Sequence, residues 1–154
     1  MDVYGRLDQM GLSLPAPPAR GGVYVPVRQV GQMLFVSGQG PVVDGAPAFT
    51  GKVGADRTIE EGREAARICM LNTLAWLHEH LGDLNRLTGV AKLLGFVASA
   101  AGFNQQPQVV NGASELLVDL FGDSGWHARS AIGVNELPGD ITVEIESIFV
   151  YEGK

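Results

Sequence analysis

Arg129 and Glu144 are the residues of this chain whose types and spacing best suit small-molecule chemistry. They stand in the stretch His127-Ala128-Arg129-Ser130-Ala131-Ile132-Gly133-Val134 to Ile141-Thr142-Val143-Glu144-Ile145-Glu146, which reads as two alternating strands about a turn on Leu137-Pro138-Gly139-Asp140. On the first arm Ile132 and Val134 oppose Arg129, Ala131 and Gly133. On the second, Val143 and Ile145 oppose Thr142, Glu144 and Glu146. With both apolar faces on the core, Arg129 and Glu144 share the other face. Hairpin pairing then sets them nearly opposite, roughly 5 Å apart at Cβ. A guanidinium held beside a carboxylate can grip a small acid and move a proton to or from it. The same spacing also describes a surface cross-strand ion pair of little energetic weight.

The elements that must position these residues can be read along the chain. Residues 2–12 suit a short helix, and Pro15-Ala16-Pro17-Pro18 is a stiff lead onto the domain. Val23, Val25 and Val27 alternate with Tyr24, Pro26 and Arg28, which predicts a strand whose proline marks an edge or bulge. Gly31-Gln32 turns it back into a strand over Met33–Ser37, and residues 40–57 form a Gly/Pro-rich loop with room for a short strand. Thr58-Ile59-Glu60-Glu61 is a capping box that opens a helix running to Leu81, with Gly82 as its stop. Val90 to Ala98 is apolar on both faces except at Lys92, as a central strand covered on both sides would be. A second helix is expected over 108–121, ending at Gly122, followed by the closing hairpin. The expected fold is α+β, one mixed sheet with two helices on one face. Its other face would carry Met33, Phe35, Ala131 and Ile148 among polar residues, and such a face ordinarily finds a partner.

Composition bounds the function classes. At 154 residues, 45% apolar and 18% charged, the chain is sized for one domain with a real core. A net charge of −6 supplies no basic footprint for nucleic acid or an anionic membrane. The single cysteine, Cys69, excludes an intramolecular disulfide and a Cys-based zinc site, and its place in an apolar helical pattern predicts burial. His78 and His80, two apart on a helix, diverge and are expected to be solvated rather than to bind metal. No Cys/His/carboxylate cluster has ligand spacing, so neither metal nor organic cofactor is expected. The start of the chain lacks a basic region followed by an apolar core, and no run of 18 apolar residues occurs; we therefore expect a cytoplasmic protein. Ser37-Gly38-Gln39-Gly40 is glycine-rich but opens no helix, so it is not a phosphate loop.

Four landmarks, in order along residues 16–151, resemble one family. Ala128-Arg129-Ser130 leading through Leu137-Pro138 into Val143-Glu144-Ile145-Glu146 resembles the C-terminal signature of the Rid family, the RidA/YjgF-like reactive intermediate deaminases, also labelled endoribonuclease L-PSP-like. Ala16-Pro17-Pro18 to Gly22-Val23-Tyr24 resembles the family's opening, Phe35-Val36-Ser37-Gly38-Gln39 its Val-Ser-Gly-Gln strand, and Asn111 before Gly112-Ala113-Ser114-Glu115 the asparagine of its second helix.

The resemblance implies a chorismate-mutase-like domain over 16–154 behind an N-terminal extension of 1–15, assembled as a homotrimer with clefts between neighbouring subunits. It implies hydrolytic deamination of enamine/imine intermediates such as 2-aminoacrylate-like species to 2-keto acids and ammonia. In the roles carried over, Arg129 grips the substrate carboxylate and Glu144 handles the water and the proton. Tyr24 closes the cleft, Ser37, Gly38 and Asn111 shape it, and the backbone at Ala131 holds the reacting nitrogen or water. The alternatives are a non-catalytic trimer that binds a small metabolite or a protein, and an endoribonuclease. Three features depart from the family. Ala131 stands where many members have cysteine, His127 where proline is commoner, and the 99–111 segment is longer. Together with Trp126 these departures suggest a branch with a different cleft rim; His127, on the same side of its strand as Arg129, is read either as facing the cleft mouth or as satisfying a loop backbone.

Overall fold

The computed structural model describes residues 2–153; Met1 and Lys154 lie outside the described residues. Helix α1 (Val3–Gln9) starts where the Asp2 carboxylate accepts from Gly5 N, and its Val3 and Leu7, one turn apart, are buried. Arg6 Nη1 donates to Leu120 O at 2.7 Å, and Val3 N donates to Asn85 Oδ1 at 2.9 Å, so the N-terminal residues dock on the rest of the core.

Helix α2 (Ile59–Leu81) has the expected boundaries for the expected reasons. Thr58 and Glu61 cap each other reciprocally, and Gly82 ends the helix at φ 77°, in the left-handed region that favours glycine. Helix α3 (Gln106–Phe121) ends at Gly122 and buries Val109, Val110, Ala113, Leu116, Leu117 and Leu120 against the sheet and α2. Cys69 is buried in α2, where desolvation pushes its thiol well above the usual range. His80 is exposed as expected, whereas His78 is half-buried, its Nδ1 2.9 Å from the Tyr4 hydroxyl, because α1 covers that end of α2.

The sheet consists of β1 (Val27–Val30), β2 (Met33–Gln39), β5 (Leu87–Ala98), β6 (Ala128–Val134) and β7 (Val143–Tyr151), in the order β1-β2-β7-β5-β6. A small hairpin of β3 (Val42–Val43) and β4 (Ala46–Pro47) fills part of the 40–57 loop. Only β5 and β6 pair in parallel, joined by the α3 crossover; the other neighbours are antiparallel. The sheet is mixed and its buried face carries α2 and α3, as the sequence predicts.

Three expectations fail, each for a non-local reason. The strand over residues 23–28 begins only at Val27, because β2 bulges between Val36 and Gln39 and so leaves Val23 and Val25 without a ladder to join. The closing hairpin does not form: β5 lies between β6 and β7 and pairs with both. Residues 135–142 run instead past the 49–51 segment, where Gly51 N donates to Asp140 O and Thr142 N to Phe49 O. The faces of β6 are also reversed. Arg129, Ala131 and Gly133 pair with Leu93, Gly95 and Val97 on the helix side, and Ile132 faces outward, 44% exposed. The cause is the closeness of α3, since a Cβ on Gly95 would lie 2.6 Å from Val110 Cγ2 and one on Gly133 2.6 Å from Gln106 Nε2. Small side chains must face the helix there, whatever the hydropathy of their neighbours. The open sheet face therefore carries Met33, Phe35, Ile132 and Ile148 with Lys92, Glu144 and Glu146, and not Ala131.

Candidate active site

The reversal of β6 sends Arg129 into α3, where it meets residues one helical turn apart. Its Nη1 donates to Asn111 Oδ1 at 2.8 Å and to Ser114 Oγ at 3.1 Å, and its Nη2 reaches Pro107 O at 3.4 Å. Ser114 Oγ also lies 2.9 Å from His127 Nε2, whose Nδ1 is 2.6 Å from Gly125 O. These groups, with Val118, Asp119 and Trp126, line a cleft of about 610 Å³. Burial pulls the Arg129 pKa down from its ordinary value, yet a guanidinium stays cationic throughout the working range. His127 is held below the usual imidazole range, first by burial, with the Arg129 charge adding to it against the Gly125 carbonyl.

The remaining candidates gather elsewhere. Tyr24, Gly38, Trp76 and Ile141 line a second, smaller recess of about 180 Å³. Ser37 donates from Oγ to Val25 O at 2.8 Å, and Gly21 N donates to the Tyr24 hydroxyl at 3.2 Å. The β2 bulge falls at Ser37-Gly38 and turns the Gly38 Cα toward β7. A Cβ there would collide with Glu144 Oε1, so glycine is what lets the carboxylate lie over this strand. Desolvation first, and then the charge of Glu146, raise the Glu144 pKa above the usual carboxylate value.

The pairing of Arg129 with Glu144 is thereby corrected. Arg129 is level with Leu93 and Ser147, Glu144 with Phe96 and Ile132, and the two side chains leave opposite faces of the sheet. Two strand spacings and three residues of offset put their Cα atoms roughly 14 Å apart. One chain thus brings Arg129, Asn111 and His127 together, and separately sets Gly38 against Glu144 and, in the smaller recess, beside Tyr24, while Ser37 lines a groove with Phe35, Glu146 and Ile148. Ala131 packs against the core and lines neither recess. Ser114 was missed as a site residue, although its position one turn after Asn111 on the same helix face was a usable signal. Among the described residues no group of three or more His, Cys, Asp or Glu is arranged to hold a metal ion. Among the described residues no helix is long and apolar enough to cross a membrane.

A mixed sheet with a helical crossover, and with Arg129 of β6 tied to α3, is shared with a known family. Residues 4–143 match the model of the family described as "YjgF/chorismate_mutase-like, putative endoribonuclease", and the chain belongs to this family. Among its relatives are Protein TCP17 of Trypanosoma cruzi, 42% identical over 147 residues (95% of this chain and 92% of that one), and the 2-iminobutanoate/2-iminopropanoate deaminase of Dermatophagoides farinae, 32% identical over 142 residues (92% and 95%). The crystal structure of Atu1372 from Agrobacterium tumefaciens, a protein of unknown function, superposes with a TM-score of 0.91 at 42% identity, covering 97% of this chain and 92% of that one.

Proposed function

We propose that the protein hydrolyses small enamine/imine acids, 2-aminoacrylate-like species and their imine tautomers, to 2-keto acids and ammonia, in a cleft completed by a second copy of the chain. The observation that carries this reading is the state of Arg129. Both Nη1 hydrogens are engaged by Asn111 and Ser114, and Nη2 makes one long contact to Pro107 O. The edge left over, Nε–H with an Nη2–H, is the fork that binds a carboxylate bidentately. The identity to an imine deaminase points to the same substrate class.

In this reading Glu144 takes a proton from water as its oxygen adds to the imine carbon, then returns a proton to the nitrogen as ammonia leaves. Its raised proton affinity suits both steps. The sum is hydrolysis, with no change of oxidation state and no electron carrier to supply. Since Arg129 and Glu144 leave opposite faces of one sheet, a small ligand can meet both only where a neighbour contributes the second. Three copies packed through their open sheet faces, a homotrimer, would also cover Met33 and Phe35, each 39% exposed, and Ile132.

The test is ammonia release from an imine generated in situ by an amino-acid oxidase, with the mass measured by light scattering. Three chain masses with accelerated release support the proposal. A monomer sinks the shared cleft, and keto-acid binding without release makes the protein a metabolite-binding trimer. Glu144→Gln should lower turnover about a hundredfold, the usual scale of general acid–base catalysis, with keto-acid affinity almost unchanged. It should not lower the melting temperature. A carboxyl whose folded pKa is raised gives stability that is complete below its unfolded pKa and is lost as pH rises through the folded one. At pH 7 the amide is free of that loss, so a Tm equal to or above wild type is expected.

A further inference from the structure

We propose that Ser114 and His127 are positioning residues of the Arg129 cleft, a hydroxyl and an imidazole that fix how the guanidinium faces its ligand and couple ligand binding to one proton. This rests on the reading of Arg129 as a carboxylate anchor and extends it to two side chains which that reading leaves without a role.

The argument is a count of hydrogens. The Gly125 carbonyl can only accept, and it lies 2.6 Å from His127 Nδ1, so that nitrogen carries a proton. In the neutral ring Nε2 is then bare, and the Ser114 hydroxyl, 2.9 Å away, donates to it. With its hydrogen so directed, the Ser114 oxygen offers lone pairs to Arg129, whose Nη1 donates at 3.1 Å while its other hydrogen goes to Asn111 Oδ1 at 2.8 Å. An acceptor at the Nε2 position is therefore what keeps the Ser114 hydrogen away from the guanidinium. Without it the hydroxyl is free to rotate, and Nη1 of Arg129 loses one of its two fixed partners.

Protonation of the ring rearranges the same three groups. The imidazolium Nε2–H donates to Ser114, whose oxygen then accepts from two cations and whose own hydrogen is released to the cleft. A carboxylate seated on Arg129 offsets the added positive charge and so raises the proton affinity of His127. By linkage the His127 ring takes up a proton as the ligand binds, and affinity rises as pH falls through the titration of the ring. With the cleft empty, burial and, after it, the Arg129 charge hold the proton affinity of His127 below its ordinary value, against the pull of the Gly125 carbonyl. Other charged groups stand near: Glu115 and Asp119 on α3, Arg63 of α2 paired to Glu115, and Asp123 in the turn before His127. A substitution must therefore separate the ring from them. Glutamine keeps an acceptor for Ser114 and cannot titrate; leucine removes the acceptor.

The experiment is calorimetric titration of the intact, assembled protein with pyruvate as probe, between about pH 5.5 and 8. Wild type should bind up to about tenfold more tightly at the acid end, the factor that one unit of coupled pKa shift allows. His127→Gln should match wild type at pH 8 and lose that slope. His127→Leu should bind about tenfold more weakly than wild type at pH 8, the scale of a lost charge-assisted hydrogen bond, and should lose the slope as well, so that its deficit widens toward the acid end. A full wild-type slope in His127→Gln, or wild-type affinity in His127→Leu, overturns the proposal. Absence of pyruvate binding to the wild type at any pH is a different failure, since it removes the carboxylate anchor on which the proposal stands.

Discussion

Replacing Arg129 with alanine should lower kcat/KM for imine hydrolysis by about tenfold to a hundredfold, with the protein still folded and assembled. The size follows from the contact removed. A hydrogen bond to a charged group contributes roughly 1.5–3 kcal/mol, and a bidentate pair lies at the upper end. Lysine should recover little. An ammonium has no planar fork, and it cannot keep the Asn111 and Ser114 oxygens in place while also presenting a parallel pair of donors. The cost in stability should be small, no more than about 1–2 kcal/mol, because the oxygens left behind line an open cleft that water can enter. Ammonia release, melting temperature and assembly mass, measured on the same samples, decide the matter. Full activity in folded Arg129→Ala reduces the arginine to a structural tie between β6 and α3.

The largest expected loss of stability comes from a methyl group. A Cβ on Gly112 of α3 would overlap the carbonyl oxygen of Arg63 in α2 and lie 2.7 Å from its carbon and 3.0 Å from its Cα. Helix propensity alone favours alanine by about 1 kcal/mol. Here the obstacle is backbone, which has no rotamer to change, so one helix must move away from the other. The Arg63 side chain resists that movement by tying α2 to Gln108 O and Glu115 of α3. We expect Gly112→Ala to destabilise by at least about 2 kcal/mol, since overpacking ordinarily costs 1–3 kcal/mol or more. For a chain of this length that is a fall in Tm of about 4–8 °C. Ligand affinity should fall with it, because Asn111 and Ser114 ride on the displaced helix. A thermal melt that is unchanged or raised would show that the two helices have slack at this contact.

What could be read in the sequence was whatever is decided locally. Thr58, Glu61 and Gly82 fix the ends of α2 through contacts within a turn, and they stand where they were expected. The apolar run over Val90–Ala98 did become a central strand, extended to start at Leu87. The order of the strands was not legible, because the choice between a β6–β7 hairpin and two ladders to β5 rests on pairings distant in sequence. The face of β6 misled for a related reason. Hydropathy put Ile132 inward, but the distance of closest approach of α3 decided that Ala131 and Gly133 face it. The resemblance supplied Asn111 and Arg129 as separate residues; that one holds the other needed the register of β5 with β6 and the seating of α3.

The placement of Arg129 and Glu144 on opposite faces has a genetic corollary. If each cleft takes its arginine from one chain and its glutamate from the next, two impaired variants can rescue each other. In mixed trimers of Arg129→Ala and Glu144→Gln chains, some clefts receive an intact arginine from the second and an intact glutamate from the first. Random one-to-one assembly of a cyclic trimer restores about a quarter of the clefts. Co-expression of the two impaired alleles should thus return more activity than either gives alone, whereas a site contained within one chain would give no more in any mixture than the average of the two.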